Sequence, residues 1–408
     1  MRTRPWFILL FLIPGVILFI AVGSLFSRDL STPTLILATN FSEPKLVSAD
    51  NNGPKRVYAA DVDGDGDMDI LSISLLDNKV AWYANTDGDG AFGPQQIIST
   101  EIAGGDGISA GDVDGDGDVD VFSASSADGK VAWYTNQGAG VFGPQQIINA
   151  LAPMAYFVFP ADLDGDHDLD ILYDAWDMNA VIWQENLDGQ GNFGPVNVIS
   201  SQAEGASSVF AADLDGDGDL DALTSAALGN QIIWYKNTDG QGSFSLPIVI
   251  TNNVSLPYSV IAADLDQDGD LDVLSASSED NKIAWYENMD GLGGFGLQKV
   301  ITSQAEQASS VYAIDLDGDG DLDVLSASYG DNIIAWYANE GNKRFGARQV
   351  ITDQAIGTFS VIASDIDGDG DMDVIAAAVE GDQILWFENM TPHILFFPVI
   401  FHNETIQP

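Results

Sequence analysis

The chain has 408 residues, no Cys, and 62 acidic against 14 basic side chains, for a formal net charge of −48. Such a charge argues against a nucleic-acid partner, and the lack of Cys excludes disulfide staples. Charge this high often accompanies disorder, but 46% of the residues are hydrophobic and the acid falls in periodic loops between apolar runs, so a folded repeat domain is expected.

Residues 1–26 read as an export or anchoring segment. Arg2 and Arg4 precede an apolar run from Pro5 to Phe26, long enough to span a bilayer. Ala21 and Gly23 offer small residues for signal-peptide cleavage, so a cleaved signal and a retained N-terminal membrane anchor both fit. Either one places the remainder outside the cytoplasm, with the basic end inside. Residues 27–40 read as a linker.

From residue 41 to 390 the chain repeats. A nine-residue acidic loop begins at Asp61, Asp112, Asp162, Asp213, Asp264, Asp315 and Asp365, at spacings of 51, 50, 51, 51, 51 and 50 residues. Each loop has Asp at its positions 1, 3, 5, 7 and 9. The first holds Asp61, Asp63, Asp65, Asp67 and Asp69; the second Asp112, Asp114, Asp116, Asp118 and Asp120; the third Asp162, Asp164, Asp166, Asp168 and Asp170. The fourth holds Asp213, Asp215, Asp217, Asp219 and Asp221, and the fifth Asp264, Asp266, Asp268, Asp270 and Asp272. The sixth holds Asp315, Asp317, Asp319, Asp321 and Asp323, and the seventh Asp365, Asp367, Asp369, Asp371 and Asp373.

Five carboxylates this close repel one another unless a cation sits among them. Calcium takes six to eight hard oxygen ligands, and the side chains of positions 1, 3, 5 and 9 with the backbone carbonyl of position 7 can supply them. Up to seven structural calcium ions are therefore expected. An EF-hand would need Glu at position 12, where Ser72, Ser123, Tyr173, Thr224, Ser275, Ser326 and Ala376 stand. A nonapeptide β-helix would repeat every nine residues. A period near 50 fits one blade of a β-propeller, and seven blades is an ordinary number.

Other columns keep the same period. A Phe stands 20 residues before each first Asp, from Phe41 to Phe345. A Trp falls 21 residues after it, from Trp82 to Trp386, and an Asn three residues later, from Asn85 to Asn389. Trp and Phe are expected to pack between blades, and the Asn to end the third strand or pin its turn. The last repeat has no Phe of its own, so the segment from Phe41 is expected to supply the outer strand of the final blade and close the ring. The fourth unit illustrates the expected strands: Val209–Asp213, Asp221–Ala226, Gln231–Lys236 and Phe244–Ile250.

The Asp-x-Asp-x-Asp-Gly-x-x-Asp loops and the pairs Phe92-Gly93, Phe142-Gly143, Phe193-Gly194, Phe295-Gly296 and Phe345-Gly346 resemble the FG-GAP/VCBS repeat family, whose calcium loops also occur in the head of integrin α subunits. The resemblance covers residues 41–390 and implies an all-β, seven-bladed propeller of four-stranded blades with calcium in its loops. Two departures stand out: His167 replaces Gly at position 6 of the third loop, and Ser245 follows the fourth Phe. The family spans adhesion proteins, lectins, and modules attached to enzymes and toxins.

In a four-stranded blade the acidic loops and the Gly-rich hairpins share one face. The opposite face carries the loops that vary between units. There Trp176, Tyr156, Tyr258, Tyr329 and Phe359 are candidate ligand-binding aromatics, because aromatic faces stack on sugars or receive apolar side chains. The three His residues fall in an acidic loop (His167) and in the tail (His393, His402), so no catalytic constellation is read. The expected function is an exported, non-catalytic binding module at or outside the cell surface, for carbohydrate or matrix ligands. A protein–protein adhesion or scaffold element is the alternative, and a polysaccharide-active enzyme a third reading. The partner is then an extracellular glycan or protein. The propeller is expected to be monomeric, touching a membrane only through its N-terminal segment. The tail, 391–408, carries the apolar run Ile394–Phe401, too short to span a bilayer; it reads as packing on the propeller or as a sorting or partner segment.

Overall fold

The computed structural model describes residues 10–13, 16–19 and 40–391. Within the N-terminal apolar run, Leu10–Ile13 and Val16–Phe19 form an antiparallel pair, Leu10 opposite Phe19. No helix among the described residues is long and apolar enough to cross a membrane. The rest of the 1–26 segment, nearly all of the linker, and the tail from 392 lie outside the described residues.

Residues 40–391 form seven four-stranded antiparallel sheets in a ring. Blade 1 consists of Pro54–Ala60, Asp69–Ser74, Val80–Tyr83 and Gln96–Ser99. The second strand is buried at every position in all seven blades, since each blade is covered by a neighbour on both faces. Ser, Ala and Val, small or β-branched side chains that suit close sheet-to-sheet packing, make up much of these strands, with Leu as the larger apolar member. The apolar cores therefore lie between blades. Val62, Leu71, Ile73 and Trp82 of blade 1, for example, pack on Ile108, Val121 and Tyr134 of blade 2.

The ring closes as the Phe column implies. Lys45–Ser48 pairs antiparallel with Gln383–Phe387, Lys45 opposite Trp386 and Leu46 opposite Leu385, and Phe41 bridges to Asn389. The N-terminal segment is thus the outer strand of blade 7, whose other three strands are Thr358–Ser364, Asp373–Ala378 and Gln383–Phe387.

The Trp and Phe columns do pack between blades. Phe92 of blade 1 meets Trp386 of blade 7 edge-on at 6.4 Å, and Phe244, Phe295 and Phe345 meet Trp183, Trp234 and Trp285 in the same way. The contact is tight enough to require Gly in the hairpin: a Cβ on Gly140 would lie 2.2 Å from Cζ2 of Trp82. Strand limits differ from expectation in blade 4. The inner strand is Ala206–Ala212, the third ends at Tyr235, and the outer is only Ile248–Thr251. Phe244 makes an isolated bridge to Asn237 instead, as the Phe of the other blades does to its Asn, and its ring meets Trp183.

Candidate functional sites at the acidic loops and the axial mouth

Each acidic loop joins the first strand of a blade to the second, and its own carboxylates shape it. In blade 1, Gly64 N–H donates to Asp61 Oδ1 at 2.8 Å and Gly66 N–H to Asp61 Oδ2 at 3.1 Å. Asp67 N–H donates to Asp65 Oδ1 at 3.0 Å. The ninth residue, Asp69, is fully buried and accepts from Asn85 N–H at 2.8 Å and Val62 N–H at 2.9 Å. The pattern recurs in blade 2 with Asp112, Asp116 and Asp120.

The donor set fits a hard cation. One oxygen from each of Asp61, Asp63 and Asp69 lies within 4.8 Å of the others, as do those of Asp112, Asp114 and Asp120, of Asp213, Asp215 and Asp221, and of Asp264, Asp266 and Asp272. In the third loop the group is Asp162, Asp164 and Asp166. Buried oxygens with no donor stand in these groups: Asp63 Oδ1, Asp114 Oδ1, Asp215 Oδ1 and Asp264 Oδ1. Desolvation pushes the ninth-position carboxyls up, to about 6 for Asp69 and about 7 for Asp120 and Asp323, although backbone N–H donors pull the other way. Buried, mutually repelling carboxylates that lack donors are what a metal ion relieves. The position-7 side chains turn elsewhere: a Cβ on Gly88 would meet Asp67 Oδ1 at 2.8 Å, and one on Gly240 would meet Asp219 Oδ1 at 2.4 Å.

His167 keeps the third loop's turn. It adopts φ 78° where Gly66 has φ 98°, and its N–H donates to Asp162 Oδ2 at 3.0 Å as Gly66 does to Asp61. Its ring is 95% exposed. Two loops carry a lysine. Lys236 Nζ pairs with Asp215 and, at 2.9 Å, with Asp217. Lys343, from the neighbouring hairpin, pairs with Asp266 at 2.8 Å and with Glu287.

The Asn column does more than end a strand or pin a turn. Asn136 Nδ2–H donates to the carbonyl of Val62, at position 2 of the preceding blade's loop, at 2.7 Å. The same bond runs around the ring, from Asn85 to Ile366 through Asn389 to Leu316. Each Asn therefore ties its blade to its neighbour's acidic loop.

On the opposite face the inner strands surround an open cavity of ≈ 720 Å³ on the axis. One repeat position, six residues before each first Asp, faces it from every blade: Lys55, Asp106, Tyr156, Ser207, Tyr258, Ser309 and Phe359. In six blades this residue sits in a β-bulge, as between Pro54 and Arg56 and between Pro257 and Ser259. A bulge re-aims its side chain out of the ladder, here into the mouth. In blade 3 the strand starts later, at Val158, and the Asp174 carboxylate accepts the N–H groups of Tyr156 and Phe157 at 2.9 and 2.6 Å.

The five candidate aromatics come together here. Tyr156 meets Trp176 edge-on at 5.4 Å, and Trp176 stacks near-parallel on Tyr258 at 6.5 Å. Tyr258 meets Phe359 at 6.2 Å, and Phe359 meets Tyr329 at 6.4 Å. All five are half-buried, and four of them, Tyr156, Tyr258, Tyr329 and Phe359, line the mouth. Sequence reasoning missed Lys55, Arg56, Asp106, Ser207 and Ser309. The signal was the fixed offset from the first Asp, which no reading by residue type would pick out.

Residues 61–123, 112–173, 175–224, 225–275, 264–326 and 315–376 match the FG-GAP-like repeat family. No curated protein matches the chain. Among solved structures, it is similar to an Agrocybe aegerita lectin described as recognising non-reducing terminal N-acetylglucosamine, with 20% identity, a TM-score of 0.56, and 82% of this chain and 85% of that one covered. It is similar to virginiamycin B lyase from Staphylococcus aureus, with 14% identity, a TM-score of 0.59, and 85% and 99% covered. It is likewise similar to BBS1N, solved in complex with ARL6DN, with 10% identity, a TM-score of 0.59, and 86% and 96% covered. At these identities the likeness is one of fold, and that fold hosts a lectin, a lyase and a protein-binding domain. With matches running from residue 61 to 376, the chain belongs to the FG-GAP-like repeat family.

Proposed function

We propose that this protein is an exported, calcium-stapled β-propeller that binds carbohydrate, without catalysis, in its axial mouth. The observation that carries the reading is that Tyr156, Tyr258, Tyr329 and Phe359 line one open cavity, with Trp176 packed edge-on to Tyr156 and stacked on Tyr258. A concave site walled by aromatic faces with a few convergent polar groups is the usual form of a small-ligand site, and pyranose C–H faces stack on such walls. Calcium is the metal of choice for the loops because all their ligands are hard oxygens and the extracellular concentration suits sites of this type. Arg2 and Arg4 before the apolar run support export, which brings the loops to that calcium. The lack of Cys, and a single described His that lies exposed in an acidic loop, support a binding role over a catalytic one.

The test is binding of the labelled full chain to an array of glycans and cell-wall polymers in about 1 mM calcium, a concentration that fills extracellular-type sites, beside a chelated sample. Saturable binding that disappears in Trp176→Ala is expected. A blank array with folded, calcium-loaded protein would overturn the carbohydrate reading and direct the search to a protein ligand.

A further inference from the structure

The floor of the mouth holds charged groups that do not pair. Every described Lys and Arg outside it makes a salt bridge to a carboxylate. Lys55 and Arg56 make none, in a chain with 62 acidic residues against 14 basic ones, so carboxylates are not in short supply. Lys55 Nζ sits 3.3 Å from the centroid of Phe359, and the Arg56 guanidinium 4.3 Å from that of Phe157. Arg56 reaches blade 3 because Gly107, its counterpart in blade 2, presents no side chain; a Cβ there would meet the Tyr156 carbonyl oxygen at 2.8 Å. Arg56 is 8% exposed, and its Nε–H has no acceptor. Asp106 is 3% exposed, and its Oδ2 has no donor. Asp174, fully buried beside them, also has an oxygen, Oδ2, without a donor.

Buried donors and acceptors left without partners each cost on the order of 1–3 kcal/mol, so their persistence beside an open cavity points to a ligand that satisfies them. A ligand carboxylate would satisfy Lys55 and Arg56 but repel Asp106, and a ligand ammonium would do the reverse. A hydroxyl does both, accepting from Arg56 or Lys55 while donating to Asp106. The rim carboxylates, Glu279 and Glu306, are exposed, so water screens them and the floor decides selectivity.

We propose that Lys55, Arg56 and Asp106 form a hydroxyl-reading subsite at the floor of the axial mouth, whose ligand is a neutral pyranose presenting adjacent hydroxyls. This rests on the carbohydrate reading above and adds to it the class of sugar and the residues that select it. The aromatic wall supplies the apolar contact, and Lys55 with the buried Arg56 and Asp106 supplies orientation and discrimination.

The experiment is ligand-observed NMR titration of the full chain with methyl glucoside, galactoside and mannoside, with their uronate counterparts, and with the glycan array hits. A neutral pyranoside is expected to bind. Its uronate counterpart, and a deoxy analogue lacking one read hydroxyl, are each expected to bind about tenfold or more weakly, a difference of roughly 1.4 kcal/mol. Asp106→Asn and Lys55→Gln are both expected to lose about tenfold in affinity, with thermal melts confirming that each is folded. Uronates outbinding neutral sugars would overturn the neutral-polyol assignment. Unchanged sugar binding in both variants would overturn the subsite while leaving the carbohydrate reading intact. No sugar binding in either array or titration would overturn that reading, and this subsite with it.

Discussion

Asn136 of blade 2 donates its side-chain N–H to the carbonyl of Val62, which lies in blade 1's acidic loop 74 residues earlier. Asn136 also donates to the Val119 carbonyl at 3.1 Å, and its own backbone N–H donates to Asp120 Oδ1 at 2.7 Å. One fully buried amide therefore joins a loop, a strand end and a neighbouring blade. Replacing it by Ala leaves buried carbonyls without donors, at a cost of about 1–3 kcal/mol. Asn136→Ala is expected to lower Tm by several degrees, whereas Ala at the exposed neighbour Gln137 leaves it unchanged. Equal melts for the two variants would show that the inter-blade bond carries no stability.

Ring closure is the second dependence. Blade 7 has three strands of its own, and Lys45–Ser48 completes it, with Ser42 N–H bonded to the Glu388 carbonyl at 2.8 Å and Met390 N–H to that of Asn40. Without that strand, Gln383–Phe387 presents an unpaired edge and Trp386 loses the Lys45 ammonium over its ring. Deleting 41–48 is expected to destroy cooperative unfolding or lower Tm far more than deleting 27–38. Calorimetry of the two truncations decides it, and equal effects would mean that closure contributes little.

How much of this was legible before the structure follows from period and from backbone shape. The acidic loops, the Trp column and the closing Phe41 were readable because seven copies at fixed offsets leave few folds open. Tyr156, Tyr258 and Phe359 were readable as aromatics at positions that vary between repeats, although Tyr258 and Phe359 stand in bulged inner strands and not in the loops expected for them. Their partners Lys55 and Asp106 were not, because charged residues at a strand start read as solvent-facing unless the β-bulge that turns this position into the mouth is known, and a bulge has no residue signature of its own. The true reach of the Asn column was hidden for a related reason. Its acceptor lies in the preceding repeat, and a pattern read within one repeat shows only the turn that the Asn also serves.

Asp174 gives the mouth a pH dependence. Its complete burial pushes the carboxyl up to about 7, outweighing the Phe157 and Tyr156 N–H donors and the Arg56 charge, which all pull it down. The folded state therefore holds this proton more tightly than the unfolded chain, in which the carboxyl titrates near 3.8. The protonated group's contribution to stability is present below the lower value and is lost as pH rises through the higher one. Asp174→Asn keeps an Oδ1 acceptor for both N–H groups and carries no charge. Its Tm is expected to gain on the wild type between pH 5 and 8. A difference between the two proteins that stays flat across that range would show that Asp174 does not titrate in this window.

The calcium proposed for the acidic loops gives the last prediction, and the seven loops are not equivalent. At about 1 mM calcium and a Kd of roughly 10⁻⁴ M, one site contributes about 1.4 kcal/mol, and seven together on the order of 10 kcal/mol, comparable to a whole domain's stability. EGTA is therefore expected to lower Tm by tens of degrees, and an unchanged melt would sink the structural-calcium reading. In blade 4, however, Lys236 Nζ already pairs with Asp215 and Asp217, while the same position in blade 3 is Glu185 and in blade 5 Glu287. An ammonium on two of the loop's carboxylates competes with the ion for both charge and space. Lys236→Ala is expected to tighten the fourth loop, adding a bound ion or strengthening the weakest one by about tenfold, a free-energy difference of roughly 1.4 kcal/mol. Calcium titration of the chelator-stripped protein, with ion counting by mass spectrometry under non-denaturing conditions, reads this directly. The same stoichiometry and affinities in both proteins would show that Lys236 gives way to the metal without cost.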